Sequence, residues 1–499
     1  MSRILPLPEF VTAQVARSMI IRAVIAVLFL GFGPQIRAQT DPGPRPGPSD
    51  AGGPFDKLND AEQKLFWAAW DRFKVLVSVS GTIESERGVG LGPTFNGNSC
   101  AGCHAQPAAG GSSPSPRSPQ VRQLAFQGGR LVLVAQTNPQ LALATLDRIP
   151  GRDQVVPPFI TTDGPIRVPR FITKPDGTPD GSVHDIYTIA GRSDAPTCIL
   201  PQLDFAKEVA KHNVVLRIPT PTFGAGLIES IPDDALIVNL NSTYNQRRAL
   251  GIGGRFNRSA NDGTIARFGW KAQNKSLLIF AAESSSVEMG VTSEAFPNKR
   301  NEAPGCVPNP LPEDRTKAQF SSHETYLPSA LSSEVVNLAA FMRLSAPPTP
   351  ATHTPSELRG QSLFSQVGCA LCHSTNLRTG ASAYTGMSNV VVHPYSDYAL
   401  HHMGPGLADH ISQVSAGGDE FRTAPLWGLG QRIFFLHDGR ASDLQVAILA
   451  HRSTAKNCRP KPRSTAAEAC GSEANASIVR FQALSPSEKQ DILNFLRSL

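Results

Sequence analysis

Two pentapeptides constrain this chain more than any other feature: Cys100-Ala101-Gly102-Cys103-His104 and Cys369-Ala370-Leu371-Cys372-His373, both with the order Cys-x-x-Cys-His. Two thiolates three positions apart can add to the two vinyl groups of one haem, and the next residue then projects an imidazole towards the iron. At the chain's own Cys and His frequencies, one such match is expected by chance about 0.003 times per chain. A zinc site wants further Cys or His partners at close spacing, and a thioredoxin-type dithiol wants a βαβ context. The sequence therefore favours two covalently attached haem c groups, held through Cys100, Cys103, Cys369 and Cys372, with His104 and His373 as proximal iron ligands.

Covalent haem attachment goes with export, and the N-terminus carries an export signal. Residues 1–38 contain Glu9 as their one acid, place Arg17 and Arg22 before an apolar run from Ala23 to Phe32, and end in Ile36-Arg37-Ala38 before Gln39. This reads as a signal peptide cleaved after Ala38, the alternative being an uncleaved anchor. The apolar run is well short of the ~20 residues a spanning helix needs. The expectation is a periplasmic protein with no stable membrane span after signal removal. In that oxidising compartment the four remaining cysteines, Cys198, Cys306, Cys458 and Cys470, should pair. Three pairings are possible, and the local one joins Cys458 to Cys470 and Cys198 to Cys306.

Composition fits a soluble body rich in turns. Of 499 residues, 40% are apolar and 18% charged, which argues against both disorder and a polytopic membrane protein. Gly and Pro number 42 each, so much of the backbone should run in loops. The net charge of +6 is spread without a basic block, so no nucleic-acid partner is expected.

After the signal, residues 39–55 are Pro/Gly/Asp-rich and read as a flexible lead. Asn59 or Asp60 can cap a helix whose apolar face carries Leu65, Phe66, Trp70 and Phe73. Segments such as Arg130 to Ala135 and Ala235 to Leu240 read as strands. The run Ala346 to Pro355 cannot be helical and is placed as a linker over 346–356. Thr354 with Pro355 then starts a helix through Leu363 and Phe364 into the second motif. Ser485, Pro486 and Glu488 start a closing helix with capping-box spacing. The fold expected is mainly α, with two cytochrome c-like haem domains, residues 56–345 with strand-containing insertions and residues 357–499.

Several further segments resemble known proteins. Phe421 to Gly430 (FRTAPLWGLG), His437-Asp438-Gly439-Arg440 and Leu444 to His451 resemble the C-terminal half of bacterial di-haem cytochrome c peroxidases. Leu216 to Asp233 and Tyr395 to Asp409 extend the likeness to the di-haem "thiol oxidoreductase" family over most of residues 60–499. Phe268-Gly269-Trp270-Lys271 and Val287-Glu288-Met289-Gly290 resemble the peroxidase segments that place a tryptophan between the haems and a glutamate over the open haem face. The resemblance implies that His451 is the distal ligand of the second haem, Glu288 the catalytic acid/base and Trp270 an electron relay.

Physical readings stand beside these roles. His451 ends a helix with Leu444, Ala447 and Ile448 on one face, though a helix-end histidine is also a common surface residue. Met403 is the alternative distal ligand, or a pocket wall. Glu288 is otherwise a plain helix-terminal glutamate, and Trp270 and Trp427 otherwise core. The ligand count predicts a closed, six-coordinate haem at His373 and an open one at His104, where no comparably placed His or Met is expected opposite. The function this favours is a peroxidase-like oxidoreductase: electrons from a small redox protein or quinol-linked donor enter at one haem, and hydrogen peroxide or a related oxidant reacts at the other. The alternatives are a pure electron-transfer cytochrome and an oxygenase or protein-modifying enzyme.

Overall fold

The computed structural model describes residues 39–115, 138–144, 154–306, 333–454 and 471–499. The signal segment, the strand expected at Arg130 to Ala135, and the pair Cys458 and Cys470 lie outside the described residues.

The fold is mainly α, with small two-stranded antiparallel sheets. Its first long helix, Asp60–Lys74, starts at Asn59, whose side chain accepts from the Glu62 N–H while the Glu62 carboxylate accepts from the Asn59 N–H. Phe66, Ala69 and Phe73 are buried on one face, and Leu65 and Trp70 pack at its edge. This face meets the helix Glu334–Leu344, where Phe341 stacks on Phe66 and Phe73 with ring centroids 5.6 and 4.2 Å away. The helix Leu277–Met289 packs against the same Glu334–Leu344 helix.

The second half repeats this arrangement. Thr354 and Ser485 each form a capping box, with a proline at the first helical position, and start the helices Pro355–Gln366 and Pro486–Ser498. The two helices cross closely at Gly360, where a Cβ would fall 2.0 Å from the Asp491 carbonyl oxygen, so only glycine allows the contact. Between Glu334–Leu344 and Pro355–Gln366, residues 345–354 run without helix or extended strand.

Ala235 to Leu240 is not a strand. It lies within the helix Asp233–Ser242, with Asp233 and Asp234 in the first turn and Leu236 and Leu240 buried four positions apart. A six-residue apolar run carries too few positions to separate helical from extended periodicity. The acidic pair after Pro232, favourable at a helix N-terminus, was the discriminating signal. Short strands do pair at Val168–Phe171 with Val214–Arg217, and Thr94–Phe95 with Tyr187–Thr188. They also occur in the second half, where Leu377–Arg378 pairs with Val391–Val392 and Leu400–His402 with Glu420–Arg422.

Residues 39–55 are tethered rather than loose. The Asp41 carboxylate accepts from the Arg497 guanidinium at 2.6 Å and from the Leu444 N–H at 2.7 Å. The Arg45 N–H donates to the Gly430 carbonyl at 2.7 Å. A Pro/Gly-rich composition reports the absence of regular structure, and the partners that fix such a segment lie some 400 positions away.

One buried cluster draws only on residues 77–306 and another only on residues 364–499. A third joins residues from both sides of the connecting stretch, among them Phe66, Phe73 and Phe341 with Leu377, Tyr398 and Trp427. Cys198 and Cys306 are bridged, with Cα atoms 4.5 Å apart. Among the described residues, no helix is long and apolar enough to cross a membrane.

Candidate functional site

Each Cys-x-x-Cys-His motif opens onto its own cavity. The first motif is itself a helical turn, Cys100–Cys103. The second is a 3₁₀ turn, Cys369–Leu371, entered through Gly368 at φ +99°, a left-handed conformation that glycine adopts at little cost. Cys100, Cys103 and His104 line a cavity of about 170 Å³. Cys369, Cys372 and His373 line one of about 220 Å³. A third cavity of about 40 Å³ lies between, sharing Thr220, Thr222 and Gly269 with the first and Pro221, Arg422 and Arg432 with the second. Trp270 lines all three.

The imidazoles are aimed by the backbone. His104 Nδ1 lies 3.0 Å from the Gly111 carbonyl oxygen, His373 Nδ1 2.9 Å from that of Tyr395, and His451 Nδ1 2.8 Å from that of Ala447. A carbonyl oxygen only accepts, so Nδ1 carries the proton in each ring and Nε2 keeps its lone pair. Burial pushes His104 and His373 down to about 4 and lowers His451, so all three are neutral, the form that binds a metal. His451 lines the same cavity as His373, and the positive charge it would carry lowers His373 further.

Met403 lines the same cavity as His451. So do His401 and His437. Both ring nitrogens of His401 are engaged by carboxylates, at 3.0 Å from Asp397 and 2.6 Å from Glu473. Cys372, Asp397 and His401 offer ligand atoms within 4.8 Å of one another. With its nitrogens so occupied, His401 is a carboxylate-held ring beside Cys372 rather than a free ligand. His437 stacks on Phe421 with centroids 4.4 Å apart.

The first cavity is finished differently. Among the described residues no second histidine lines it, and Met289 and Met342 stand on its wall. Both sit on helices whose cavity-facing side depends on tertiary packing. Ala281, Ser284 and Glu288 lie on one face of the helix Leu277–Met289, spaced to look into the cavity together. The Glu288 carboxyl makes no hydrogen bond or ion pair among the described residues. Burial, reinforced by the neighbouring negative charge of Asp185, pushes it up to about 7. Gly290 ends this helix at φ +67°. The Glu288 and Met289 carbonyls there accept from Asn96, Gly97 and Gly92, tying the helix end to the loop before the first motif.

Trp270 is fixed at its indole, which donates from Nε1 to the Ile218 carbonyl oxygen at 2.9 Å, and at its own carbonyl, which accepts from Arg422 N–H at 2.9 Å. Trp427 lines the small middle cavity. Arg422, Arg432 and Tyr398, all buried, are cavity residues to which the sequence assigned no role. Arg422 and Tyr398 fall inside segments that resemble the family, but nothing local marks an arginine or a tyrosine as buried.

A family model described as "Di-haem oxidoreductase, putative peroxidase" matches residues 171–466. That stretch includes Trp270, Glu288, the second motif, Met403 and His451, and begins after the first motif. No curated protein matches the chain.

Proposed function

The chain belongs to the di-haem oxidoreductase family, and from that premise we propose that it is an exported, peroxidase-like enzyme with one haem in each large cavity. The donor sets suit covalently held haem. Each cavity offers two unbridged thiols three positions apart and an Nε2 presented by a neutral imidazole. The two haem domains are residues 56–345 and 357–499, joined by residues 346–356, and the location is periplasmic.

The observation that carries the division of labour is the contrast between the linings of the two large cavities. The second cavity holds His451, held at Nδ1 so that Nε2 would be available to complete the coordination of a haem iron bound there and exclude substrate from it, with Met403 at the cavity wall. The first cavity holds an unpaired carboxyl, Glu288. When bound there, haem supplies iron for peroxide and a store of electrons for its reduction. Turning hydrogen peroxide into two waters takes two electrons and two protons. Ionised Glu288 takes the proton from one peroxide oxygen and returns it to the other, which then leaves as water. A group near pH 7 in its proton affinity suits both halves of that transfer. Trp270, touching both large cavities, spans the electron path from the His373 side, where a small redox protein or quinol-linked donor delivers electrons.

Cyanide titration followed by spin state tests this. Cyanide should convert one haem, the His104 haem, from high to low spin before the other responds, and the protein should turn over hydrogen peroxide with a reduced small cytochrome. Two low-spin haems in every redox state, with no turnover, would make the protein an electron carrier. Met289 or Met342 would then be the ligand that closes the first haem.

A further inference from the structure

The small middle cavity holds two buried guanidiniums that no carboxylate among the described residues neutralises. Arg422 and Arg432 are 7% and 8% exposed and line both this cavity and that of His373. Arg422 donates to the Gly269 and Thr423 carbonyls, and Arg432 to the Pro425 carbonyl. Among the described residues, no carboxylate pairs with either guanidinium. Arg217 and Arg267, on neighbouring walls, do have acids, Asp409 and Asp233. Burial brings Arg422 and Arg432 down to about 10, and the charge of Arg422 adds to the effect on Arg432. Two uncompensated cations side by side in a dry interior are strongly unfavourable unless an anion joins them. Tyr398 lines the same cavity, with its ring 5.9 Å from the Arg422 guanidinium, and its buried hydroxyl has no hydrogen-bond partner, so it is a third donor available there.

Position narrows the anion. Cys369 and Cys372 line the His373 cavity alone, whereas Arg422 and Arg432 also line the middle one, so the arginines mark the part of the His373 cavity that borders the middle cavity. A haem carries its vinyl groups on one edge and its two propionates on the opposite edge. We infer that Arg422, Arg432 and Tyr398 form a carboxylate site that receives the propionate arms of the haem attached at Cys369 and Cys372. This rests on the two-haem reading above. Arg422 also binds the Gly269 carbonyl through Nε and the Trp270 carbonyl through its backbone N–H, so the anion site and the tryptophan between the cavities are held by one residue.

The arginines then act as positioning and charge-balancing residues. They keep the propionates ionised and, as cations near the iron, favour the reduced haem. Removing one raises the proton affinity of the buried carboxylate and leaves its negative charge uncompensated wherever it stays ionised. The test uses the full haem-loaded chain. Haem content is measured first, by pyridine haemochrome, and the midpoint potential of the low-spin haem is then followed against pH. In Arg422→Gln and Arg432→Gln, two haems per chain are expected, with a potential that falls at high pH and recovers towards wild type as pH is lowered. Arg432→Lys, which keeps the charge, should follow wild type. Tyr398→Phe should show the Gln behaviour in weaker form and serves as the reading if a Gln variant does not assemble. Haem-replete variants with the wild-type potential at every pH would overturn the inference. So would Gln variants whose potential is displaced by the same amount at every pH, because no carboxylate would then be titrating beside the haem. A wild-type protein with fewer than two haems would instead overturn the two-haem reading.

Discussion

Around His104 and around His373 the chain assembles the same parts. A helix with a capping box precedes the motif, a later helix crosses it, and two thiols stand beside an imidazole whose Nδ1 is held by a backbone carbonyl. Across each cavity the chemistry diverges, with His451 in one and the unpaired Glu288 in the other. On the two-haem reading, the shared parts would serve haem attachment, while the role of each site would follow from the helix that completes its cavity. Leu277–Met289 brings a carboxyl on its inner face, and Leu444–Ala450 ends in a histidine pinned to its own last turn.

The largest expected effect comes from removing either proximal ligand. His104→Ala and His373→Ala should each perturb one of the two haems and leave the other, seen in haem content and absorption spectra. His104→Ala should abolish peroxide chemistry at the open site, whereas His373→Ala should cut the supply of electrons to it. Variants that match wild type in both measurements would break the comparison at its base.

Glu288→Gln comes next. It should leave both haems assembled and lower peroxide turnover by ~100-fold, the usual scale for losing a general acid/base. The wild-type rate should depend on pH in a defined direction. Glu288 must be ionised to accept the proton, and its affinity is raised to about 7, so turnover should rise as pH passes through that value and level off above it. A flat profile across that region, or normal turnover in Glu288→Gln, would remove Glu288 from the mechanism.

His451→Ala sharpens the contrast from the other side. Opening the second iron should give it the cyanide affinity that only the first has in wild type, measured by spin state. If the second haem stays low-spin and cyanide-resistant without His451, Met403 on the same cavity wall is its ligand.

The sequence displayed the parts whose signals are local. The caps at Asn59, Thr354 and Ser485 need only four consecutive residues, and the haem motifs only five. The Cys198–Cys306 bridge belongs to the local one of the three possible pairings. What was not legible depends on distant partners. Asp41 is held by Arg497, so the lead looks loose only along the chain. His401 stands beside the second motif, but its carboxylate partner Glu473 lies 72 positions away. The methionines of the first cavity and the buried arginines Arg422 and Arg432 have no local pattern that reports which way they face. Ala235 to Leu240 failed for a different reason, because an apolar run that short fits either periodicity.

The smallest effect tests how far the two halves are separate. Asn59→Ala and Thr354→Ala each remove one reciprocal cap, one from the helix of each half, and each should cost ~1 kcal/mol. If the halves unfolded independently, the first change would move only the transition seen at the high-spin haem, and the second only that seen at the low-spin haem. The buried cluster that joins Phe66, Phe73 and Phe341 to Leu377, Tyr398 and Trp427 argues otherwise. Neither half can lose its packing without exposing apolar surface of the other, so each cap variant should shift both spectroscopic transitions by the same amount in one denaturant titration. Transitions that separate, with each cap moving only its own haem, would show that this shared cluster is too weak to couple the halves and that residues 346–356 join two independent domains.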